Sequence, residues 1–302
     1  MKMITNGDNP VIKKIKSLKQ KKYRDRYGIF FIEGLRFTEE VLKEYSFGPC
    51  MQINIESMIV SESFNHANIE FMNTYFPDSM REDNEHLSEN MDVHHNVQNH
   101  KCSESCDFNM IKVSDKIFSS ISDTETPQGI GAVLRISNYD ESEIIKNGRN
   151  FLMMDRIQDP GNMGTLIRTA DAAAFDAVIL SDGCVDMYNS KVLRATMGSI
   201  FHIPVIQSAD LSETIQRMKE NHVKIYAADL NGNQSSFSEE FSDKNAIITG
   251  NESNGIRREV LDTADVLLKI PMPGSAESLN ASVAGSLLMY EVLRKTVRKS
   301  GT

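Results

Sequence analysis

Three short polar segments hold the residue types that chemistry needs. The first is Asp155-Arg-Ile-Gln-Asp-Pro-Gly-Asn162-Met-Gly-Thr-Leu-Ile-Arg168-Thr-Ala, which reads as a strand end, a Pro-Gly turn, a helix start near Asn162 and then an arginine two turns in. The second, Ile247-Ile-Thr249-Gly250-Asn-Glu252-Ser-Asn-Gly255-Ile, sets a carboxylate between two glycines ahead of Arg257 and Arg258. The third, Leu268-Lys-Ile270-Pro-Met272-Pro-Gly274-Ser-Ala-Glu-Ser278-Leu279-Asn280-Ala-Ser282, leaves a strand through proline-rich backbone and enters a closing helix. Each polar residue also has a plainer role open to it. Asn162 can cap its helix, Arg168 can be a surface charge, Glu252 can be a carboxylate favoured at a helix start, and Ser278 can be an N-cap. Together they offer amides and a carboxylate to fix geometry, and a permanent cation to hold an anion or orient a hydroxyl, with no histidine base beside them.

Each segment directly follows an expected strand. The pattern predicts strands at 151–157, 177–181, 203–207, 224–229, 245–249 and 265–270, with helices near 163–174, 188–197, 211–221, 256–263 and 279–297. This alternation implies an α/β domain with a mostly parallel sheet and helices on both faces. Ligands of such sheets gather at the carboxyl ends of the strands, so the three loops are expected to converge on one pocket. The closing helix carries Val283, Leu287, Tyr290, Leu293 and Val297 on one apolar face, for which a core stripe is the plain reading. Ala281, Ser282, Ala284, Gly285 and Ser286 crowd its first turns and permit close approach of a neighbour or ligand.

A smaller α/β unit precedes it. Helical spacing between Pro10 and Arg26 leads into a short strand at Ile29–Ile32, a helix over Phe37–Tyr45, and strands over Gln52–Val60 and Ile130–Ile136. The stretch 78–109 has few large apolar residues and is expected to be a flexible insertion. Tyr139–Asn150 reads as a linker, which gives domains of 1–138 and 150–302.

A chain of 302 residues with 40% hydrophobic content can build a core in each domain. Its net charge of −9 argues against a nucleic-acid partner until its distribution is considered. Residues 1–36 hold ten Lys/Arg against Asp8, Asp25 and Glu33, a balance of +7, which leaves −16 on the remainder. Such an arm suits RNA phosphates, with Lys13, Lys14, Lys21, Lys22, Arg24 and Arg26 as candidates, although lysine-rich ends are also ordinary solvated surface. Met1–Lys22 lacks the apolar stretch of a signal peptide and no segment approaches a membrane span, so a cytoplasmic protein with reduced cysteines (Cys50, Cys102, Cys106, Cys184) is expected. Cys102 and Cys106 lie near His94, His95 and His100, but the irregular spacing is not that of a metal site, and no metal is expected. Gly129-Ile-Gly131 sits inside a strand pattern and reads as structural.

Asn162-Met-Gly-Thr-Leu-Ile-Arg168-Thr-Ala, Gly250-Asn-Glu252-Ser-Asn-Gly255 and Ile270-Pro-Met-Pro-Gly274 through Ser278-Leu279-Asn280-Ala-Ser-Val-Ala resemble the three signature motifs of the SpoU-type (TrmH-like) RNA 2′-O-ribose methyltransferases of the SPOUT superfamily. Pro273 departs from the small non-proline residue that members often carry. More weakly, Asn9-Pro-Val-Ile-Lys and Tyr27-Gly-Ile-Phe-Phe-Ile-Glu33-Gly34 are similar to that family's N-terminal substrate-binding domain. The resemblance implies a C-terminal α/β trefoil-knot domain, a smaller N-terminal α/β RNA-binding domain, and a homodimer. It also implies S-adenosylmethionine-dependent methylation of a ribose 2′-hydroxyl in ribosomal or transfer RNA, ribosomal RNA being the favoured partner. Carried over by position, cofactor contacts fall on Thr249, Gly250, Ile270, Met272 and Leu279, and the catalytic set on Asn162, Arg168, Glu252, Ser278 and Asn280. The alternatives are a catalytically silent RNA-binding protein of the same fold and a nicotinamide-dependent oxidoreductase, which would need a glycine fingerprint missing after the first strand.

Overall fold

The structure is a computed structural model that describes residues 3–47, 53–76 and 108–300. Most of the expected 78–109 insertion, with Cys102, Cys106 and the neighbouring histidines, lies outside the described residues. The chain divides into two compact units, Met1–Ser137 and Asn138–Thr302.

The first unit is a four-stranded sheet of β1 (Ile29–Glu33), β2 (Ile55–Ser61), β3 (Asn109–Val113) and β4 (Ile130–Arg135), in the order β1-β4-β2-β3. Both β1 and β2 run antiparallel to β4, and β3 joins parallel to β2. Its helices are α1 (Pro10–Ser17), α2 (Lys21–Tyr27), α3 (Leu35–Phe47), α4 (Glu62–Ala67), α5 (Ile69–Tyr75) and α6 (Asp115–Ile121). Ile12, Ile15 and Leu18 of the basic arm are buried against Ile29, Ile59 and Phe118, so the arm is part of the core. The helical pattern over 10–26 resolves into two helices, because the chain turns at Leu18–Gln20. Arg24 is only 5% exposed and donates to the carbonyl oxygen of Leu18, closing that turn. This corrects its expected role: Arg24 ties two helices together and is not a surface cation. α4, α5, α6 and β3 were not expected, since each is too short to show a period; β3 forms through pairing with β2, a tertiary effect.

The second unit is a seven-stranded parallel sheet in the order β7-β6-β5-β10-β8-β11-β9. The strands are β5 (Asn150–Asp155), β6 (Ala177–Leu180), β7 (Val205–Gln207), β8 (Lys224–Ala228), β9 (Gln234–Ser235), β10 (Asn245–Gly250) and β11 (Val266–Lys269). Its helices are α7 (Glu141–Asn147), α8 (Pro160–Ala172), α9 (Ser190–Thr196), α10 (Leu211–Glu220), α11 (Arg258–Leu261) and α12 (Ala281–Ser300). Runs of buried apolar residues such as Phe151–Met154 and Ala177–Leu180 identify strands covered on both faces. The expected linker holds α7, capped by Asp140 and anchored by Ile145 in the core.

Two helix starts differ from the sequence reading. α8 begins at Pro160, with Asp159 as its cap accepting from the Asn162 amide at 2.8 Å, so Asn162 is not the cap. α12 begins at Ala281, and the Asn280 side chain accepts from the Ser282 amide at 2.9 Å, so Ser278 is not the cap either. The apolar stripe of α12 is also corrected. Ser282, Gly285, Leu288, Met289 and Val292 face inward, whereas Val283, Leu287, Tyr290 and Val297 are 44–60% exposed. The small inner residues are what let α12 close on its neighbours, since a methyl at Gly285 would lie 2.6 Å from Leu166 Cδ2.

The same closeness governs α8 against α9. A Cβ on Gly164 would sit 2.3 Å from Ala195 Cβ and 2.8 Å from its carbonyl carbon. Backbone cannot yield as a flexible side chain can, so Gly164→Ala is expected to destabilise the domain by about 1–3 kcal/mol, read from urea unfolding.

Candidate active site

β5 and β10 are neighbours, with Asp155 opposite Gly250, yet the chain leaves β5 towards β6 and β10 towards the other side of the sheet. A crevice opens where the direction of winding reverses. After β10 the chain folds back at once: the Asn251 amide donates to the Gly255 oxygen at 3.0 Å and the Gly255 amide returns a bond at 2.9 Å. Only glycine fits at the root of this hairpin, because a Cβ on Gly250 would lie 2.3 Å from the Gly255 carbonyl carbon. Asp155, wholly buried, accepts from both the backbone amide and Nε of Arg257, each at 2.8 Å. These charge-assisted bonds pin the far end of the hairpin to the end of β5.

The Glu252 carboxylate points across the crevice to the loop after β5. It accepts from the backbone amides of Gln158 and Asp159 at 3.4 and 3.3 Å and from Asn162 Nδ2 at 2.9 Å. Burial by itself would raise its pKa, but these donations outweigh that and hold it below its ordinary value. The other end of the Asn162 amide, Oδ1, accepts from Asn280 Nδ2 at 3.0 Å. Asn280 in turn caps α12. Residues from all three polar segments therefore form one hydrogen-bonded line, Glu252–Asn162–Asn280.

Beside this line lies a cavity of about 260 Å³. Thr249, Gly250, Ile270, Met272 and Leu279 all line it, joined by Asp229, Leu230, Glu252 and Ser278. The lining contains two carboxylates and no lysine or arginine. Leu230, Ile270, Met272 and Leu279 offer an apolar wall for a flat base, and the carboxylates suit a cationic ligand, which is the character of S-adenosylmethionine.

Residues 149–290 match the SpoU rRNA methylase family, and residues 9–132 match the MRM3-like substrate binding domain. RlmP of Bacillus subtilis, named as a 23S rRNA (guanosine(2553)-2′-O)-methyltransferase, is 34% identical over 97% of this chain and 99% of its own length. The chain belongs to the SpoU rRNA methylase family. An AdoMet-bound rRNA methyltransferase from Sinorhizobium meliloti superposes with a TM-score of 0.76 at 26% identity, covering 97% of both chains. The SpoU methyltransferase AviRb from Streptomyces viridochromogenes shares the fold, with a TM-score of 0.76 at 20% identity over 96% of this chain and 98% of its own. As a SpoU methylase, the protein is an S-adenosylmethionine-dependent RNA 2′-O-methyltransferase with a SPOUT-type C-terminal domain.

The remaining sequence-derived candidate of this SpoU domain stands apart. Arg168 is exposed on α8 and is absent from the cavity lining. The hydrogen bonds of Glu252 run to the backbone amides of Gln158 and Asp159 and to the side-chain amides of Asn162 and Asn251. Sequence reasoning missed Asp155 with Arg257, which are 102 positions apart and carry no shared pattern. It also missed Asp229 and Leu230, although their place directly after β8 was a usable signal.

Because the folded-state pKa of Glu252 lies below the ordinary 4.5, its ionised hydrogen bonds stabilise the fold above that value and are lost as pH falls through the lowered one. The difference in unfolding free energy between the native protein and Glu252→Gln is expected to be constant above pH 4.5 and to shrink below it, measured by urea unfolding across a pH series.

Proposed function

We propose that this methyltransferase acts on ribosomal RNA in preference to transfer RNA, with Arg168, Asn162, Glu252, Ser278 and Asn280 as its catalytic set. Thr249, Gly250, Ile270, Met272 and Leu279 would hold the cofactor. The observation that carries this reading is the Glu252–Asn162–Asn280 line, which binds three separate loops beside one cavity. A silent RNA-binding relative would have no need of it. The ribosomal choice is supported by RlmP, whose name specifies 23S rRNA.

S-adenosylmethionine supplies the electrophilic methyl group. The protein's task is to present a ribose 2′-oxygen in line with it and to keep that oxygen from turning away. A guanidinium holds its proton too firmly to be a good base at neutral pH, so Arg168 serves by orienting the hydroxyl or binding the adjacent phosphate. Asn162 and Asn280 keep the loops in register, Glu252 holds the 158–162 turn, and Ser278 faces the cavity.

In the first domain, Lys13, Lys14, Lys21, Lys22 and Arg26 remain at or near the surface and would meet RNA phosphates. The exposed stripe of Val283, Leu287, Tyr290 and Val297 on α12 fits pairing with a second copy, making a homodimer through the C-terminal domain. No helix among the described residues is long and apolar enough to cross a membrane, and a ribosomal substrate would suit a cytoplasmic enzyme.

Mapping 2′-O-methyl positions in total RNA from cells with and without the protein is expected to show loss of one ribosomal position; an unchanged map would refute the reading. Arg168→Ala is expected to lower kcat by about 100-fold or more while S-adenosylmethionine affinity by calorimetry stays within about twofold. Leu287→Glu is expected to reduce the mass in light scattering from two chains to one.

A further inference from the structure

The basic arm holds two aromatic residues that phosphate binding does not use. Tyr23 and Tyr27 are four residues apart on α2 and so share one face of the helix. Their rings are nearly parallel, with an interplanar angle of 17° and centroids 6.2 Å apart. Tyr27 is exposed and Tyr23 half-buried, while Arg24 between them is turned into the core. Cations surround the pair: Lys22 Nζ lies 4.8 Å from the Tyr23 ring centre, and Lys14 Nζ and the Arg26 guanidinium lie 5.5 and 5.7 Å from that of Tyr27. Lys14 is held there by Glu56 at 2.8 Å.

We propose that Tyr23 and Tyr27 form a stacking platform for unpaired RNA bases, with Lys22 and Arg26 taking the flanking phosphates. The inference rests on the reading that the first domain meets RNA, and it names the form of RNA that this face selects. Exposed cation–π contacts contribute only a few fold to an equilibrium, whereas stacking a base on an aromatic ring contributes about 5- to 100-fold. A base therefore wins the ring face, and the displaced lysine and arginine find a stronger partner in the phosphate beside it. A duplex keeps its bases stacked internally and offers only its phosphates and groove edges. The +7 balance of residues 1–36 complements the strand's charge.

The test uses the full chain and a short labelled oligoribonucleotide without secondary structure, beside the same strand annealed as a duplex. The single strand is expected to bind more tightly than the duplex. Tyr23→Leu and Tyr27→Leu are each expected to weaken single-strand binding by about 5- to 100-fold, with the salt slope unchanged because no charge is removed. Tyr27→Phe keeps the ring and should bind as the native protein does, which separates stacking from any effect on folding. Lys22→Gln combined with Arg26→Gln should reduce the salt slope by about 1–2 units. The platform is refuted if Tyr27→Leu binds normally, if the duplex binds equally well, if the native protein binds neither RNA, or if poly-glutamate displaces the strand at equal charge, which would indicate an acidic protein partner. These results do not depend on methyl transfer. An unchanged methylation map would sink the enzymatic reading and leave the binding experiment to stand or fall separately.

Discussion

The side-chain amide of Asn162 has a donor at one atom and an acceptor at the other, and both are committed. Nδ2 donates to Glu252 and Oδ1 accepts from Asn280, so a single planar group fixes the distance between two loops that leave different strands. Few side chains can do this. A carboxylate would accept twice and repel Glu252, and an ammonium would donate twice and leave Asn280 without an acceptor. Since Asn162 is itself only 8% exposed, water cannot easily substitute for either partner, and losing one would strand a buried polar atom.

That amide could not be positioned without the sheet beneath it. Reversal of winding between β5 and β10 brings the two loops to one edge, and the Asp155–Arg257 pair holds the second against the first strand. Asp155 is fully buried and would be costly alone, but two short charge-assisted bonds compensate it. The work is divided accordingly. Buried charge sets the backbone of the hairpin, side-chain amides set the spacing of the loops, and the cavity beyond combines an apolar wall with the carboxylates of Asp229 and Glu252.

Much of the second domain was legible because its strands are buried on both faces and appear as unbroken apolar runs, Phe151–Met154 being the plainest. The three polar segments were legible because glycine, proline and asparagine mark sharp turns whatever the tertiary context. Direction was what the sequence could not convey. The periodic stripe of α12 shows that one face is apolar but not which face looks inward, and small residues decide that by allowing Leu166 to approach Gly285. Arg24 reads like any other basic residue of its arm, and its burial depends on a turn at Leu18 made by tertiary packing. β3, similarly, exists only because β2 offers it an edge.

The helix α12 begins directly after the residue that completes the hydrogen-bonded line and then presents two chemically opposite sides within its first two turns. An α-helix advances by about 100° per residue. One residue inserted or deleted between Asn280 and Gly285 would therefore bring the Cβ of a neighbour such as Ala284 or Ser286 against Leu166 and turn glycine away from it. This junction can accept many exchanges of side chain but scarcely any change of length. Among descendants of this sequence, gaps should be far rarer there than in the surface turns elsewhere in the domain.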